Sequence, residues 1–216
     1  MVYEACPLQY HTTFVRGIPP PITRGMKTGT SVHSLIAQHL KQRQLLPGEV
    51  EPEAQAMLER FKESRFNQAP VAVESGFRLP FERGDVRGRI DVVLPRPGGG
   101  LEIVDFKSGN ARAREELENS LQLPLYALAT KERFDLRPED LAYTYYFPRE
   151  GEEVSFVPTQ EGFERLAARV EGLMEAIQEG RFEPLPGCQC HACEWQRRRK
   201  RRGESVSLPP DGEREL

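Results

Sequence analysis

Apolar positions along the chain change period twice. After Thr30 they recur as Val32, Leu35, Ile36 and Leu40, the three-and-four spacing of one helix face. This predicts a helix running to about Arg43, capped by the hydroxyl of Thr30 or Ser31. A second helix is predicted over Pro52–Phe66, with proline in its first turn. The pattern then turns to partial alternation rich in β-branched residues. VAVESGFRLPF, DVRGRIDVVL and LEIVDFK read as successive strands of a meander, the last two joined by PRPGGG. A helix around Ser120–Lys131, a strand at AYTYYF, a short strand at VSFV and a helix over Thr159–Glu179 complete an α/β order. The first 29 residues read as irregular, with IPPPIT a stiff extended segment, and SVSLPPDGEREL as a frayed tail. No repeat or low-complexity linker divides the chain. One domain is therefore expected over residues 1–203, followed by a flexible tail over 204–216.

Composition narrows the class. Of 216 residues, 38% are hydrophobic and 29% charged, the balance of a globular protein rather than a disordered one. The longest nearly apolar stretch, LQLPLYALA, is about half of what a membrane span needs. No membrane partner is expected. The N-terminus lacks the basic segment, apolar core and cleavage site of a secretory leader, so a reducing, cytoplasmic setting is expected. There, the four cysteines read as metal ligands or reactive thiols before disulfides. Thirty basic and 33 acidic side chains give a net charge of −3. That average hides a segregation: six basic residues are consecutive from Arg197 to Arg202, and without them the rest of the chain stands at −9. Such a strip is either a nucleic-acid contact or a solvated tail.

Candidate chemistry sits on the second and third predicted strands. Asp105 and Lys107 are two apart and share a strand face, while Val104 and Phe106 point the other way. Asp91 is an isolated carboxylate in the apolar run of the strand before. If PRPGGG closes an antiparallel hairpin in even register, Asp91 lies across from Asp105 with Cβ atoms about 4.5–5.5 Å apart. Two carboxylates so placed repel, and a divalent cation between them turns repulsion into coordination. Taken singly, each residue also fits a plainer role, a surface pair for Asp105 and Lys107 and a turn cap for Asp91. His33 lies at the start of the first predicted helix, just off its apolar stripe; His11, His39 and His191 form no catalytic pattern. Gln122 and Tyr126 are four apart and share a helix face, suited to touching a phosphate or a base. Glu74 is a further carboxylate with no spacing partner.

The order GTSVH, GRIDVV, VDFKSG and QLPLY resembles the PD-(D/E)xK nuclease superfamily, specifically its RecB-like branch, over nearly the whole chain. The resemblance implies an α/β, restriction-endonuclease-like core: a central mixed sheet flanked by helices, with the termini tied by a cysteine cluster. It implies that Asp91 is the first acid and Asp105 with Lys107 the D-x-K. His33 becomes an additional metal ligand beside Asp91, Asp105 and the Phe106 carbonyl, and Gln122 with Tyr126 the Q-x-x-x-Y signature. The expected metal is manganese or magnesium, and the expected reaction is hydrolysis of phosphodiester bonds in DNA, by an exonuclease or a single-strand-directed enzyme. Arg197, Arg198 and Arg199 are candidate DNA contacts beside Gln122 and Tyr126.

The RecB-like branch that the chain resembles includes members with a four-iron, four-sulfur cluster held by one early cysteine and three late ones. Cys6 in CPLQY matches the early position, and Cys188, Cys190 and Cys193 in CQCHACEW supply three late ones. They depart from the usual order, because the extra cysteine precedes the CxxC instead of following it. Zinc is the alternative for four thiolates, or for three with His191. The opening resembles nuclease modules fused after the motor of UvrD-like helicases, and a start five residues before Cys6 suits a domain cut from such a fusion. RGMKTGT does not fit a Walker A loop, so a helicase motor would be a partner, upstream or separate, acting in DNA repair or recombination. The rival from another class is a non-cleaving DNA-binding module of a helicase, stabilised by a metal centre.

Overall fold

The computed structural model describes residues 2–41 and 51–202, which fall into two compact units. One comprises residues 22–171, the other the described parts of 1–21 and 172–216.

The larger unit is built on a five-stranded sheet in the order β1 (Ala72–Phe81), β2 (Gly84–Pro95), β3 (Leu101–Phe106), β4 (Leu141–Phe147) and β5 (Glu152–Phe156). Neighbours are antiparallel except β3 and β4, which are parallel. A parallel pair needs a long crossover, here residues 107–140 with α5 (Arg114–Glu118) and α6 (Gln122–Phe134). The sheet is therefore mixed and flanked by helices, as expected. α3 (Arg24–Leu40) and α4 (Pro52–Glu63) bury Val32, Ile36, Leu58 and Phe61 against Val92, Leu94, Val104 and Phe106. Alternation along β3 then turns Ile103 and Asp105 to the other face, where α6 lies. α7 (Gln160–Gln178) crosses from this unit into the other.

α3 begins at Arg24, six residues before the expected cap, and its expected end at Arg43 lies outside the described residues, as does the tail over 204–216. α4 ends at Glu63, where the Ser64 hydroxyl donates to the Phe61 carbonyl at 2.7 Å.

In the smaller unit the first residues are not irregular. They form α1 (Val2–Ala5), α2 (Pro7–Tyr10) and a π-helical turn over His11–Val15. Cys6 caps α2 by accepting from the Gln9 N–H, and Pro7 opens that helix. These short turns form because Tyr3 and Leu8 become buried and the Tyr3 hydroxyl donates to the Arg181 carbonyl at 2.6 Å. No local periodicity announces such a partner. α8 (His191–Arg201) closes the unit, with Ala192 and Cys193 buried. The basic run, read as tail or contact, is thus helical through Arg201.

Candidate active site

The β2–β3 register pairs Val92 with Val104 and Val93 with Ile103. The next step of this ladder sets Asp91 across from Asp105, the even register. The regular pairing stops there, and the Asp91 carboxylate itself accepts the Phe106 N–H at 3.2 Å. His33 reaches the same carboxylate from α3, with Nδ1 3.0 Å from Asp91 Oδ2. Gly29 lets α3 come in close: a Cβ there would stand 3.0 Å from the Ser108 hydroxyl, just past Lys107.

Asp105 is fully buried. Its Oδ1 accepts from Gln122 Nε2 at 2.9 Å. Its Oδ2 has the Lys107 ammonium 2.7 Å away, off the hydrogen-bond line, and no hydrogen-bond partner. Gln122 Nε2 also donates to the Tyr126 hydroxyl at 3.1 Å, while its Oε1 accepts from Lys107 Nζ at 2.7 Å. One amide thus holds the acid, the lysine and the tyrosine. Their spacing on α6 allows it, since Gln122 and Tyr126 lie one turn apart.

Burial pushes the Asp105 carboxyl up to about 6; the Lys107 charge opposes this and the Asp91 charge adds to it. Burial also lowers the His33 imidazole, but the hydrogen bond and charge of Asp91, with the charge of Asp105, outweigh it and the net shift is upward. Burial lifts the Tyr126 hydroxyl to about 12, keeping it protonated. A contrast on the same strand is instructive. Glu102 is also buried, but both its oxygens accept from Arg65, at 2.7 and 2.9 Å, and Thr144 donates to it as well. Burial would raise its carboxyl, yet Arg65 and Thr144 hold it below the ordinary value. Glu102 has hydrogen bonds to both oxygens, whereas Asp105 Oδ2 has only the charge of Lys107 beside it. That oxygen, the second carboxylate and the imidazole are a donor set that suits a divalent cation.

Glu74 is the residue the sequence did not place. β1 and β2 pair Val73 with Val92 and Ser75 with Ile90, so Glu74 stands at the position opposite Asp91. Its φ of 53° is rare for a non-glycine residue and interrupts the ladder. Glu74 and Asp91 line a cleft of about 590 Å³ with His33 and Arg89. Arg89 Nε is 2.8 Å from Glu74 Oε2. The available signal was the parity of the β1–β2 pairing, which depends on a short turn at Glu82 and Arg83.

In the smaller unit Cys6, Cys188, Cys190 and Cys193 bring their sulfurs within 4.8 Å of one another, so the four cysteines cluster near the two ends of the chain. Among the described residues no other set of three or more histidine, cysteine or acidic side chains is as close. Cys6 and Cys193 are buried with Sγ atoms 3.5 Å apart. Burial raises the Cys193 and Cys190 thiols, while hydrogen bonding from the Cys190 backbone lowers that of Cys188. His191 is exposed at the first position of α8. Arg197 donates to the Cys188 carbonyl at 2.7 Å, and with Arg198 and Arg201 it lines a groove beside Gly187 and Glu194. Arg199 lies 5.0 Å over the Trp195 ring.

The mixed sheet with carboxylates, lysine and glutamine at one end defines a nuclease-like α/β fold. A family model of the PD-(D/E)XK nuclease superfamily matches residues 1–198, and the chain belongs to that superfamily. A solved structure from Eubacterium rectale, provisionally named an exonuclease, superposes with a TM-score of 0.55 at 11% identity. It covers 93% of this chain and 82% of that one, a likeness of fold. The Gene 69 protein of Mycobacterium phage L5 is 29% identical over 123 residues, 55% of this chain. The match takes in 40% of that relative's length. Among the described residues no helix is long and apolar enough to cross a membrane.

Proposed function

We propose that the protein is a metal-dependent deoxyribonuclease of the RecB-like branch, acting on DNA ends or single strands. The observation that carries the reading is the buried Asp105, with an oxygen that no hydrogen bond satisfies, on the strand next to Asp91 and beside Lys107. His33, Asp91, Asp105 and the Phe106 carbonyl would hold manganese or magnesium, the imidazole tilting the choice to manganese. A cation there supplies Lewis-acid charge at the phosphate and makes water acidic enough to act near neutral pH. The chain's own groups do the rest. His33, committed to Asp91 through Nδ1, keeps Nε2 as its ligand atom. Lys107 stabilises the charge that develops on the phosphate oxygens, and Gln122 fixes Lys107 and Asp105 in one geometry. Tyr126, neutral and anchored on Gln122, presents a hydroxyl to the DNA.

Arg197, Arg198 and Arg199 would hold phosphates further along the strand, in a cytoplasmic enzyme coupled to a helicase motor in DNA repair or recombination. The family match over 1–198 supports treating residues 1–203 as one nuclease domain. The test is cleavage of end-labelled single- and double-stranded DNA with manganese, magnesium or EDTA. Absence of metal-dependent cleavage on every substrate would leave the DNA-binding module as the reading.

The four cysteines would hold a four-iron, four-sulfur cluster, which the family resemblance supports. A specific observation favours zinc as a second reading. Zinc–sulfur bonds of about 2.3 Å in a tetrahedron set sulfurs about 3.8 Å apart. The Cys6–Cys193 separation of 3.5 Å and the common limit of 4.8 Å are near that value, and an iron–sulfur cubane fills more space between its thiolates. Iron, sulfide and zinc analysis of anaerobically purified protein separates the two.

A further inference from the structure

The cleft beside the acids has a wall that the proposed chemistry does not use. Thr30, Ser34 and Gln38 line it from α3 and Lys41 from the turn that follows, spaced by fours and a three and so forming one stripe. Among the described residues Gly29 and Ala37 are the only apolar ones in its lining, and the one aromatic ring there, the His33 imidazole, is held by Asp91 and lies outside the stripe. At about 590 Å³ it is in the ~300–1,000 Å³ range of ligand-sized clefts. Along this stripe and Arg89 its chemistry is hydroxyls, an amide and cations, while the two carboxylates of the cleft are engaged, Glu74 by Arg89 and Asp91 by His33. Bases are recognised without sequence preference by stacking on aromatic rings, and this wall offers none. Sugars and phosphates are recognised by Arg, Lys, Ser, Thr and Gln, the set present.

Arg89 faces this stripe from β2, two residues before Asp91. Glu74 takes its Nε, while 69% of the side chain remains exposed; a guanidinium has five N–H donors, so donors remain for a phosphate. The pairing also answers a problem of placement. An arginine two positions from Asp91 on the same strand could fold back onto that carboxylate, and Glu74 holds it off. The strained backbone at Glu74 persists at the point where its carboxylate meets Arg89.

We infer that the cleft between α3 and the β1–β2 hairpin is a sugar–phosphate subsite for the nucleotide next to the scissile bond, with Arg89 its phosphate contact and Glu74 the residue that positions Arg89. The subsite reads no base. The inference rests on the nuclease reading and adds where the strand lies.

The test measures binding of a short fluorescent single-stranded oligodeoxynucleotide to the full chain in EDTA, by anisotropy over a range of salt, alongside manganese-dependent cleavage by wild type. Arg89→Ala should weaken binding about tenfold, the effect of one charge-assisted hydrogen-bond contact, and reduce the salt slope by about one. An abasic oligonucleotide should bind wild type within about twofold of the intact one and lose the same factor on Arg89→Ala. Ser34→Glu, an exposed change to a better helix former, sets a negative charge on the opposite wall and should weaken binding without disturbing the fold. Glu74→Gln should weaken binding less than Arg89→Ala, because a freed Arg89 loses its placement and keeps its charge. If wild type cleaves DNA while Arg89→Ala and Ser34→Glu bind like wild type, the subsite is wrong and the nuclease reading stands. An abasic strand that fails to bind would overturn base-independent recognition. A wild type that neither binds nor cleaves DNA overturns both.

Discussion

Removing the Lys107 ammonium should separate catalysis from binding and folding. Lys107 sits between Asp105 Oδ2 and Gln122 Oε1, 2.7 Å from each, and one third of it is exposed. Lys107→Ala leaves Asp105 with the single Gln122 hydrogen bond and removes the largest influence holding its carboxyl down. Breaking a fully buried ion pair costs ~3–5 kcal/mol. Solvent reaches Lys107, so about 2 kcal/mol is expected, a drop of about 4–8 °C in Tm for a chain of this size. The catalytic loss should be far larger. A group that stabilises transition-state charge is worth about 10²–10³ in rate, and among the described residues no other lysine or arginine bonds Gln122. Single-turnover cleavage of end-labelled DNA gives the rate, anisotropy the affinity, and a thermal melt the fold. The expected result is cleavage at or below about one hundredth of wild type, with affinity within about threefold because Lys107 acts on charge that develops only in the transition state. Cleavage within threefold of wild type, or a loss of binding that equals the loss of cleavage, would refute the role assigned to Lys107.

Further outcomes follow from the acids, the cysteines and the basic helix. The Asp105 carboxyl titrates near 6 in the fold and near its ordinary 3.8 when unfolded. The native state therefore holds a proton that the unfolded chain releases, and metal-free protein should lose stability as pH rises from about 4 to about 6; manganese should raise Tm more at pH 7 than at pH 5, and melts in EDTA and in manganese check both. Cys6→Ser should lower Tm markedly, since a thiolate-held metal joins segments far apart in sequence. The anaerobic wild type should contain about four irons and four sulfides per chain, and one zinc per chain would transfer the site to the second reading. Neutralising Arg197, Arg198 and Arg199 together should weaken binding alike for all sequences and flatten the salt slope by about two; an unchanged slope would return them to a solvated helix end.

The acid pair was legible because strand parity is a two-valued question. Once PRPGGG closes a hairpin, Asp91 and Asp105 share a face or do not, and burial of Val92 and Val104 on the other face fixes the answer. Gln122 and Tyr126 were legible for a similar reason, a helix turn placing i and i+4 together. Glu74 was not. Its role depends on β1 register across a second hairpin and on a positive φ that no residue other than glycine announces. The helices at the chain start were hidden because each is a single turn, too short to carry a period, and held by partners such as Arg181 that lie far along the chain. α8 was hidden by its composition: only Ala192 and Cys193 are buried, too few for an apolar stripe, and its basic run looks alike in a helix and in a tail.

The central claim is that Asp105 and its neighbours cleave DNA with a divalent cation. The most direct measurement is cleavage of end-labelled DNA by the full chain with manganese, beside EDTA and beside Asp105→Ala purified identically. The account predicts products with wild type and manganese, none in EDTA, and loss of cleavage in Asp105→Ala that still binds DNA and melts as a folded protein. Equal cleavage by wild type and Asp105→Ala, or none by wild type with any divalent metal, would contradict it.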